Sequence, residues 1–326
     1  MKFNQKILIL LIIIGIFTGC KKDEIKLEGI TFINAPTGST LKRVVFTSKD
    51  SGIIVGGNTY TESTILHTSD AGNTWTLMTI QNDPGKIIES VIATKNKDYA
   101  VGIDGKIYFK DPPNTSWDYH QNVYWEWMRD ITQSESNHIL IISGRAWDNG
   151  QIYHLDSNFN ELSRTKYPFE LADISQINET TFLISGYGSI LKSMDKGNSW
   201  NYTNAKGDFY KKMHVISDTH IWACGYNGSI IKSTDGGTSW EKQRNGNNPS
   251  LKQYHFNSIY FLNASTGFVV GDNGTILLTK DSGENWLATK KITDVDLYDI
   301  TAINDKEILV IGDKGTIFKL RIGDYI

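Results

Sequence analysis

Four aspartates recur in one phrase, Ser/Thr-x-Asp-x-Gly-x-Ser/Thr/Asn-Trp, and repeated carboxylates are residues that glycoside hydrolysis or a metal site would use. Each aspartate stands five residues before a tryptophan, in the pairs Asp70 and Trp75, Asp195 and Trp200, Asp235 and Trp240, and Asp281 and Trp286. The same spacing also predicts a tight turn. An Asp carboxylate accepts hydrogen bonds from backbone N–H groups a residue or two ahead, and Gly supplies a conformation that other residues resist. The Trp would then start a strand and bury its ring between sheets. The spacing therefore explains these aspartates as turn residues.

Other candidate chemistry is dispersed along the chain. A glycosidase needs two carboxylates facing one cleft, and the acidic candidates lie in or near turns: Asp104, Glu126, Asp148, Asp272 and Asp313. The spacing does not show that any two of these carboxylates converge on one cleft. The alternative is that they are solvated residues in turns. The seven His form no His-Glu-x-x-His or close Cys/His pattern, and no Gly-x-Ser-x-Gly elbow occurs. The sequence predicts no catalytic residue, no cofactor and no metal site.

The composition is that of a globular protein without a basic surplus. The chain has 326 residues and a formal net charge of −3, which gives no electrostatic basis for binding nucleic acid. It contains 29 Gly, 11% aromatic residues and only 6 Pro. That composition is typical of short strands joined by tight turns.

The first 19 residues predict a signal peptide. Lys2 and Lys6 precede an apolar run that is too short to span a bilayer, and the run ends in Phe17-Thr18-Gly19-Cys20. Small residues before a Cys resemble a lipobox, which implies cleavage before Cys20, lipid on that residue, and a polar tether over residues 20–28. Lys21 beside the Cys resembles lipoproteins sorted to the outer membrane, on its periplasmic or its outer side. The alternative is an ordinary secretory signal that happens to end near a Cys.

A period of about 40 residues runs through the rest of the chain and is typical of propeller blades. Degenerate copies of the phrase occur at Asp111 and Asp156, and a seventh unit ends near Ile322. Each unit carries four short strand patterns, the second of which ends at a Gly. We therefore predict an all-β fold over residues 29–326, a seven-bladed β-propeller of four-stranded antiparallel blades. The strand pattern at residues 29–35 would complete the last blade and close the ring. Cys224, within an apolar strand pattern, is predicted to be a buried hydrophobe.

The phrase resembles the Asp-box of BNR-repeat proteins, in which it is a structural turn between the third and fourth strands of a blade, away from the active site. This resemblance implies a structural role for the four aspartates, with no catalytic or metal-binding one. Residues 228–240 and 274–286, each of which runs from a Gly turn to a Trp, also resemble the blades of the photosystem II assembly and stability factor family. Those blades carry a Gly turn, a short strand to Ser/Thr-x-Asp-Gly-Gly, and then Thr-Trp. This resemblance implies a non-enzymatic assembly or binding propeller. Asp-box sialidases need an arginine triad and usually a Phe-Arg-Ile-Pro start, and that start is absent.

Two segments exceed the repeat and predict an interaction surface. The link at residues 119–129 and the turn at residues 144–149 are rich in aromatic and basic side chains. In a propeller, such links and turns share the face opposite the Asp-boxes. The predicted interaction residues are Trp125, Trp127, Arg129, Arg145, Trp147, Tyr187, Tyr226 and Tyr254. The alternative for alternate residues of the link, such as Trp127, is packing in the core.

Two hypotheses of function follow from this surface. The first is a non-enzymatic, lipid-anchored envelope or cell-surface protein that binds a protein partner, because Trp, Tyr and Arg anchor protein interfaces. The alternative is a carbohydrate-binding or glycoside-hydrolysing, sialidase-like propeller that uses the same face, because aromatic rings also stack on sugars.

Overall fold

The computed structural model describes residues 24–112, 114–135, 138–205, 207–248 and 250–322. The predicted signal peptide and Cys20 lie outside these residues. The described chain forms seven four-stranded antiparallel sheets. The predicted seven-bladed all-β propeller is therefore confirmed.

The strands are numbered in chain order, and four make each blade. Blade 1 contains β2 (Thr40–Phe46), β3 (Gly52–Asn58), β4 (Glu62–Thr68) and β5 (Thr76–Leu77). Blade 2 contains β6 (Ile88–Ala93), β7 (Asp98–Gly102), β8 (Lys106–Lys110) and β9 (Asp118–Gln121). Blade 3 contains β10 (Met128–Glu135), β11 (His138–Arg145), β12 (Asn149–Asp156) and β13 (Glu161–Tyr167). Blade 4 contains β14 (Leu171–Gln176), β15 (Phe182–Gly186), β16 (Ile190–Ser193) and β17 (Asn201–Tyr202).

The remaining blades follow the same order. Blade 5 contains β18 (Tyr210–Val215), β19 (Ile221–Gly225), β20 (Ile230–Ser233) and β21 (Glu241–Arg244). Blade 6 contains β22 (Phe256–Phe261), β23 (Gly267–Gly271), β24 (Thr275–Thr279) and β25 (Leu287–Ala288). Blade 7 contains β26 (Leu297–Ala302), β27 (Glu307–Gly312) and β28 (Ile317–Arg321), with β1 (Ile30–Ile33) as its outer strand. Short 3₁₀ turns occupy Ile103–Gly105, Tyr226–Gly228 and Asp272–Gly274.

The core lies between neighbouring blades. The second strand of a blade is apolar on both faces because a sheet packs against each side of it, and every residue of Phe182–Gly186 and of Ile221–Gly225 is buried. Leu183 of blade 4, for example, belongs to the same buried cluster as Tyr210 and Ile221 of blade 5. The outer strands are short, and the two residues of Thr76–Leu77 are exposed.

The ring closes through its N-terminal strand. Strand β1 pairs antiparallel with β28, with Ile30 opposite Leu320 and Ile33 opposite Ile317. The segment at residues 29–35 therefore has the predicted place. Two residues of the predicted tether also contact the ring: Ile25 packs against the cluster between blades 6 and 7, and Leu27 is buried in it.

The Asp-box turns have one geometry, which differs in two respects from the sequence prediction. The Asp70 carboxylate accepts the backbone N–H of Thr74 at 2.9 Å and its hydroxyl at 2.7 Å, so the N–H lies four residues ahead and not one or two. The carboxylate reaches this far because the turn folds back on itself: the N–H of Gly72 donates to the Thr68 hydroxyl at 2.9 Å. Asp156 has the same bonding to Asn160 without a tryptophan.

The box tryptophans are less buried than predicted. Trp75 is buried, whereas the other three rings, Trp200, Trp240 and Trp286, are half-buried at the edges of the inter-blade clusters. The indole N–H of Trp240 donates to the carbonyl of Gly237 in its own turn, at 3.1 Å. Cys224 is buried, and burial raises the pKa of its thiol, as expected for a structural residue.

Within the described parts of the chain, no helix is long and apolar enough to cross a membrane.

Candidate functional site

The links between blades and the turns from second to third strand lie on one face of the ring, because the strands within a blade are antiparallel. We call this face the interaction face. The Asp-box turns, which join third and fourth strands, lie on the opposite face. The two unusual segments of the sequence therefore do share a face.

Five rings from three blades and their links form an aromatic cluster on the interaction face. The Trp147 ring lies 5.3 Å from Tyr187, 5.3 Å from Phe209 and 5.0 Å from Tyr226, measured between ring centroids. The Tyr226 ring stacks on His255 at 4.1 Å. Phe209 is buried beneath the cluster, while Trp147 and Tyr187 are 42% and 49% exposed. We refer to Trp147, Tyr187, Phe209, Tyr226 and His255 as the aromatic cluster.

The turn that carries Trp147 holds an unusual backbone conformation. Arg145 pairs with Asn149 across the hairpin, and Ala146 and Trp147 have φ values of 57° and 69°. This left-handed region costs a residue with Cβ roughly 1–2 kcal/mol. Glu170 holds the turn: its carboxylate accepts the N–H of Trp147 at 3.1 Å, and its own N–H donates to the Trp147 carbonyl at 3.1 Å. The strained turn directs a large apolar ring toward solvent, a pattern found at functional sites.

Glu170 also connects the aromatic cluster to the mouth of the central channel. Its second carboxylate oxygen pairs with the guanidinium of Arg129, whose Nε donates to the carbonyl of Gly144 at 3.0 Å. The Arg129 guanidinium lies 4.3 Å from the centre of the Trp127 ring, and the Trp127 indole N–H donates to Glu89 at 3.0 Å. Trp127 is thus half-buried at the channel mouth and is not a core residue.

The channel mouth is a charged cavity of about 350 Å³. A register shift in each innermost strand inserts one extra residue, and all seven of these residues line the mouth. They are Lys42, Glu89, Arg129, Ala172, Lys211, Asn257 and Tyr298. The mouth therefore offers cationic, anionic and hydrogen-bonding groups beside the aromatic cluster.

Deeper in the channel, buried carboxylates tie neighbouring blades together. Asp173 of blade 4 accepts the N–H of Met213 in blade 5 at 3.2 Å, and pairs with Lys212 at 2.5 Å. Asp130 and Asp299 make the equivalent bonds to the next blade. Arg43 lies 3.3 Å from Asp130 and 3.6 Å from Asp173. Because these groups are satisfied by one another, we assign them to holding the ring together.

Burial sets the protonation of the cluster. Desolvation lowers the pKa of His255 and raises the pKa of Tyr226, so both rings are neutral at pH 7. The neutral imidazole also agrees with the geometry, since His255 Nδ1 accepts the N–H of Asn227 at 3.1 Å. Burial lowers the pKa of Lys211, whose ammonium lies 5.1 Å from the Tyr226 ring centre.

The structure separates the predicted interaction residues into four groups. Trp147, Tyr187 and Tyr226 meet in the aromatic cluster, and Trp127 and Arg129 adjoin it at the channel mouth. Trp125 and Arg145 are exposed, with Trp125 5.5 Å from the ammonium of Lys106.

Tyr254 forms the fourth group by itself. It lines a separate cavity at the edge of blades 5 and 6, and the next residue, His255, is the one that joins the cluster.

Sequence reasoning missed Phe209, His255 and Glu170. A signal for them exists, because each immediately precedes an innermost strand. At this position the backbone carbonyl accepts an N–H from the second-strand end of the same blade, as in Tyr226 to Phe209 at 3.0 Å and Asp272 to His255 at 3.0 Å. Aligning the repeats on this position would have placed their side chains on the interaction face.

The candidate acidic residues are bonded individually to neighbouring groups. Asp104 pairs with Lys86 at 2.8 Å, Glu126 accepts from Gln151 at 2.8 Å, and Asp272 accepts from Asn257 at 3.1 Å. Asp313 accepts from Thr40 at 2.7 Å, and Asp148 is exposed. Over the part of the chain that the structure covers, no three His, Cys, Asp or Glu side chains gather as a metal ion would require.

Comparisons with known proteins agree with this architecture. A family model described as photosynthesis system II assembly factor YCF48 matches residues 203–277. Two proteins named photosystem II assembly lipoprotein Ycf48, from Trichormus variabilis and Nostoc sp., are 22% and 23% identical to this chain. Each match covers 84% of this chain and 93% of the relative. These relatives are assembly factors, which is a non-enzymatic role.

Solved structures show the same fold. A structure described as YCF48 bound to D1 peptide has a TM-score of 0.71 and 19% identity, and covers 92% of this chain and 99% of that one. YCF48 from Cyanidioschyzon merolae has a TM-score of 0.69 and 14% identity, over 90% and 98% of the two chains. The resemblance to the photosystem II assembly factor propeller that the Asp-box repeats predicted is therefore confirmed.

Proposed function

We propose that this chain is a non-enzymatic, lipid-anchored envelope or cell-surface propeller that binds a protein partner through its interaction face. The observation that carries the proposal is the aromatic cluster, which three blades build around the exposed ring of Trp147 beside a charged channel mouth. Large rigid rings lose little conformational entropy on binding, and aromatic and Arg side chains supply most of the energy at protein interfaces. The interaction residues are those predicted from the sequence, joined by Phe209, His255 and Glu170.

The relatives support the protein-binding part of the proposal. One propeller with the same fold is described as bound to a D1 peptide, and the relatives that align along most of the chain are named assembly lipoproteins. In this chain, an assembly role would use the aromatic cluster around Trp147 to bind a protein partner.

The proposal also includes a lipid on Cys20 and a location at the outer membrane. They rest on the lipobox-like Phe17-Thr18-Gly19-Cys20 and on Lys21. The lipoprotein names of the relatives agree with the lipid anchor. Mass spectrometry of the mature N-terminus should find a lipid-modified Cys20, and density-gradient fractions should place the protein with the outer membrane. An unmodified N-terminus in a soluble fraction would reject the anchor.

Glycan binding is the second candidate, because the exposed rings of Trp125 and Trp147 also suit stacking on sugars. Hydrolysis is less favoured, since four of the five candidate carboxylates are held singly by neighbouring groups. A glycan array and a panel of fluorogenic glycosides separate the two functions. Turnover that a single Asp or Glu substitution abolishes would overturn the non-enzymatic proposal.

A pull-down from solubilised envelopes tests the partner surface. We expect the mature protein to retain a discrete partner, and Trp147→Ala and Trp125→Ala to retain less of it. Met194→Ala is the matched control, because Met194 is a large exposed apolar residue in an Asp-box turn on the opposite face. Equal recovery with all three variants would reject the interaction face.

A further inference from the structure

A lysine, an asparagine and an aspartate from two neighbouring blades meet at the channel mouth. The Nζ of Lys211 in blade 5 donates to the side-chain Oδ1 of Asn257 in blade 6 at 2.6 Å. The Nδ2 of Asn257 donates to the Asp272 carboxylate at 3.1 Å and to the backbone carbonyl of Leu297 at 2.9 Å. Because two acceptors hold Nδ2, the amide turns its oxygen toward the lysine, and the electrophilic Cγ lies one bond beyond that oxygen.

The register of the innermost strands brings these side chains together. Lys211 is the extra residue that the register shift inserts into β18, and Asn257 is the extra residue at the same position of β22. A bulge of this kind changes the direction of a side chain, and here both extra residues line the channel mouth. Asp272 directly follows the second strand of blade 6, which pairs with the strand that carries Asn257. The contact is therefore made by rigid elements of two blades.

The surroundings of Lys211 favour the neutral amine, which is the nucleophilic form of a lysine. Burial is the largest cause that lowers the pKa of Lys211, and the charges of Lys42 and Arg129 lower this pKa further, whereas Asp272 acts in the opposite direction. The Nζ lies 5.1 Å from the centre of the Tyr226 ring. A lysine in such a site loses its proton more readily than a solvated lysine does.

Two other lysine–amide contacts differ in the group beside the amide nitrogen and serve as internal references. Lys319 donates to Oδ1 of Asn73 at 2.6 Å, and the Nδ2 of Asn73 donates to the backbone carbonyl of Asp70. Lys106 donates to the side chain of Gln121, whose Nε2 donates to two backbone carbonyls. A backbone carbonyl does not relay a proton as a carboxylate does, so these acceptors would not assist the release of ammonia.

We propose that Lys211 and Asn257 form an intramolecular isopeptide bond, with Asp272 as the proton-transfer group. The neutral Nζ attacks Cγ of Asn257, the Nζ–Cγ bond forms, and the carbonyl π pair moves onto Oδ1. The Asp272 carboxylate takes a proton from Nζ and gives it to Nδ2. The Cγ–Nδ2 bond then breaks, ammonia leaves with the bonding pair, and the carbonyl re-forms. An amine and a primary amide become one secondary amide and ammonia, so the step needs no oxidant, reductant or co-reactant.

The bond joins the innermost strands of blades 5 and 6 covalently. It links residues that are 46 positions apart, which restricts the unfolded chain and stabilises the ring as other cross-links do. It also replaces an ammonium at the channel mouth with a neutral amide, beside the Tyr226 ring of the aromatic cluster. The cross-link thus changes the charge that a partner meets next to the cluster.

Peptide mass spectrometry of the purified full chain tests the bond. Trypsin should release a branched peptide in which residues 207–212 are linked to residues 253–280, because trypsin does not cleave after an acylated Lys211. Its mass should be one ammonia below the sum of the two linear peptides, and its fragment ions should place the link between Lys211 and Asn257. The peptides that carry Lys319 and Asn73 should stay linear.

Linear peptides with unmodified Lys211 and Asn257, in place of the branched one, would overturn the proposal. A loss of ammonia from a peptide that stays linear would also overturn it, because a succinimide at Asn273 loses the same mass without forming a branch. This measurement needs no substitution, so it decides the question even where a variant fails to fold.

Two substitutions at equivalent turns test the role of the carboxylate. Asp272→Asn keeps an oxygen that accepts from Asn257 but does not relay a proton, and we expect it to reduce the yield of branched peptide at least about tenfold. Asp313→Asn is the matched control, because Asp313 follows the second strand of blade 7 as Asp272 follows that of blade 6, and it should leave the yield unchanged. Circular dichroism checks that both variants fold. A folded Asp272→Asn variant with the parent's yield would overturn the assignment of Asp272.

Discussion

The indole of Trp147, carried by blade 3, lies 5.0 Å from the phenol ring of Tyr226, carried by blade 5, at an interplanar angle of 76°. Edge-to-face aromatic pairs at this distance are favourable by about 0.5–1.5 kcal/mol beyond the area they bury. The contact crosses blade 4, whose Tyr187 joins the same group. One side chain from an irregular turn therefore links three blades on the interaction face.

The side chain of Trp147 is expected to serve binding more than folding. In Trp147→Gly, relief of the left-handed backbone offsets the lost ring contacts, so the free energy of unfolding should change by less than about 1 kcal/mol. Partner affinity should fall at least tenfold, about 1.4 kcal/mol. Denaturant unfolding and a binding titration measure the two effects. Tyr202→Ala, an exposed aromatic on an outer strand, is the control for binding; a large loss of stability with unchanged affinity in Trp147→Gly would contradict the assignment.

The Asp-box at Asp70 should contribute to acid stability. Hydrogen bonds from the N–H and hydroxyl of Thr74 lower the Asp70 pKa from 3.8 to about 2. Because the folded-state pKa is the lower one, this stabilisation is present above pH 3.8 and is lost as the pH falls toward 2. The unfolding free energy of Asp70→Asn should therefore decline less steeply between pH 4 and pH 2 than that of the parent. Asp50→Asn, at an exposed carboxylate outside the box, is the control, and parallel curves for Asp70→Asn and the parent would refute the role of the carboxylate.

Gly225 is needed for a close approach of backbones within blade 5. A Cβ added there would overlap the carbonyl of Phe209, whose ring supports the aromatic cluster. Gly225→Ala should cost about 1–3 kcal/mol of stability, as other overpacking substitutions do. Gly38→Ala is the matched control because an added Cβ there meets nothing within 4 Å, and it should change stability by less than about 0.5 kcal/mol. Equal melting temperatures for the two variants would disprove the close-approach argument.

Partner binding should depend on the protonation of His255. Its pKa is lowered mainly by burial and also by Lys211, while Asp272 and Asp296 act in the opposite direction. The neutral ring is thus favoured in the folded state, and its contribution is complete above pH 6.5 and is lost as the pH falls through the lowered pKa. Protonation would break the bond from Asn227 and disturb the stack on Tyr226.

We therefore expect affinity to be constant from pH 8 to pH 6.5 and to fall at lower pH, and the fall should be smaller in His255→Gln. A wild-type decline that begins above pH 7, or one that is unchanged in His255→Gln, would argue against this role.

The ring could be predicted from the sequence because its determinants are local and repeated. The spacing from Asp235 to Trp240 predicted the turn. The strand pattern at residues 29–35 predicted the strand that closes the ring. The hydrogen-bond partner of the Asp-box carboxylate was predicted wrongly. The carboxylate bonds across the turn to the residue that precedes the box Trp, four residues ahead, as from Asp235 to Ser239. Short-range Asx-turn geometry does not describe that reach.

The interaction face was only partly predictable. The clustering of Trp147 with Tyr226 depends on the curvature of the ring, which brings blades 3 and 5 together across one turn of blade 4. Residue preferences do not predict the left-handed backbone conformation at Trp147 either, since bulky side chains avoid that conformation. Tyr254 was selected by its residue type, whereas the backbone register places its neighbour His255 against Tyr226.

Site-specific photo-crosslinking in intact cells tests the central claim most directly. A benzophenone amino acid replaces Trp147 in the aromatic cluster or, as a matched control, Met194 in the Asp-box turn of blade 4, both of which are exposed. Our account predicts a discrete protein adduct from position 147 that position 194 does not give, and that Tyr187→Ala weakens. The same adducts from both positions, or an adduct from position 194 alone, would contradict it.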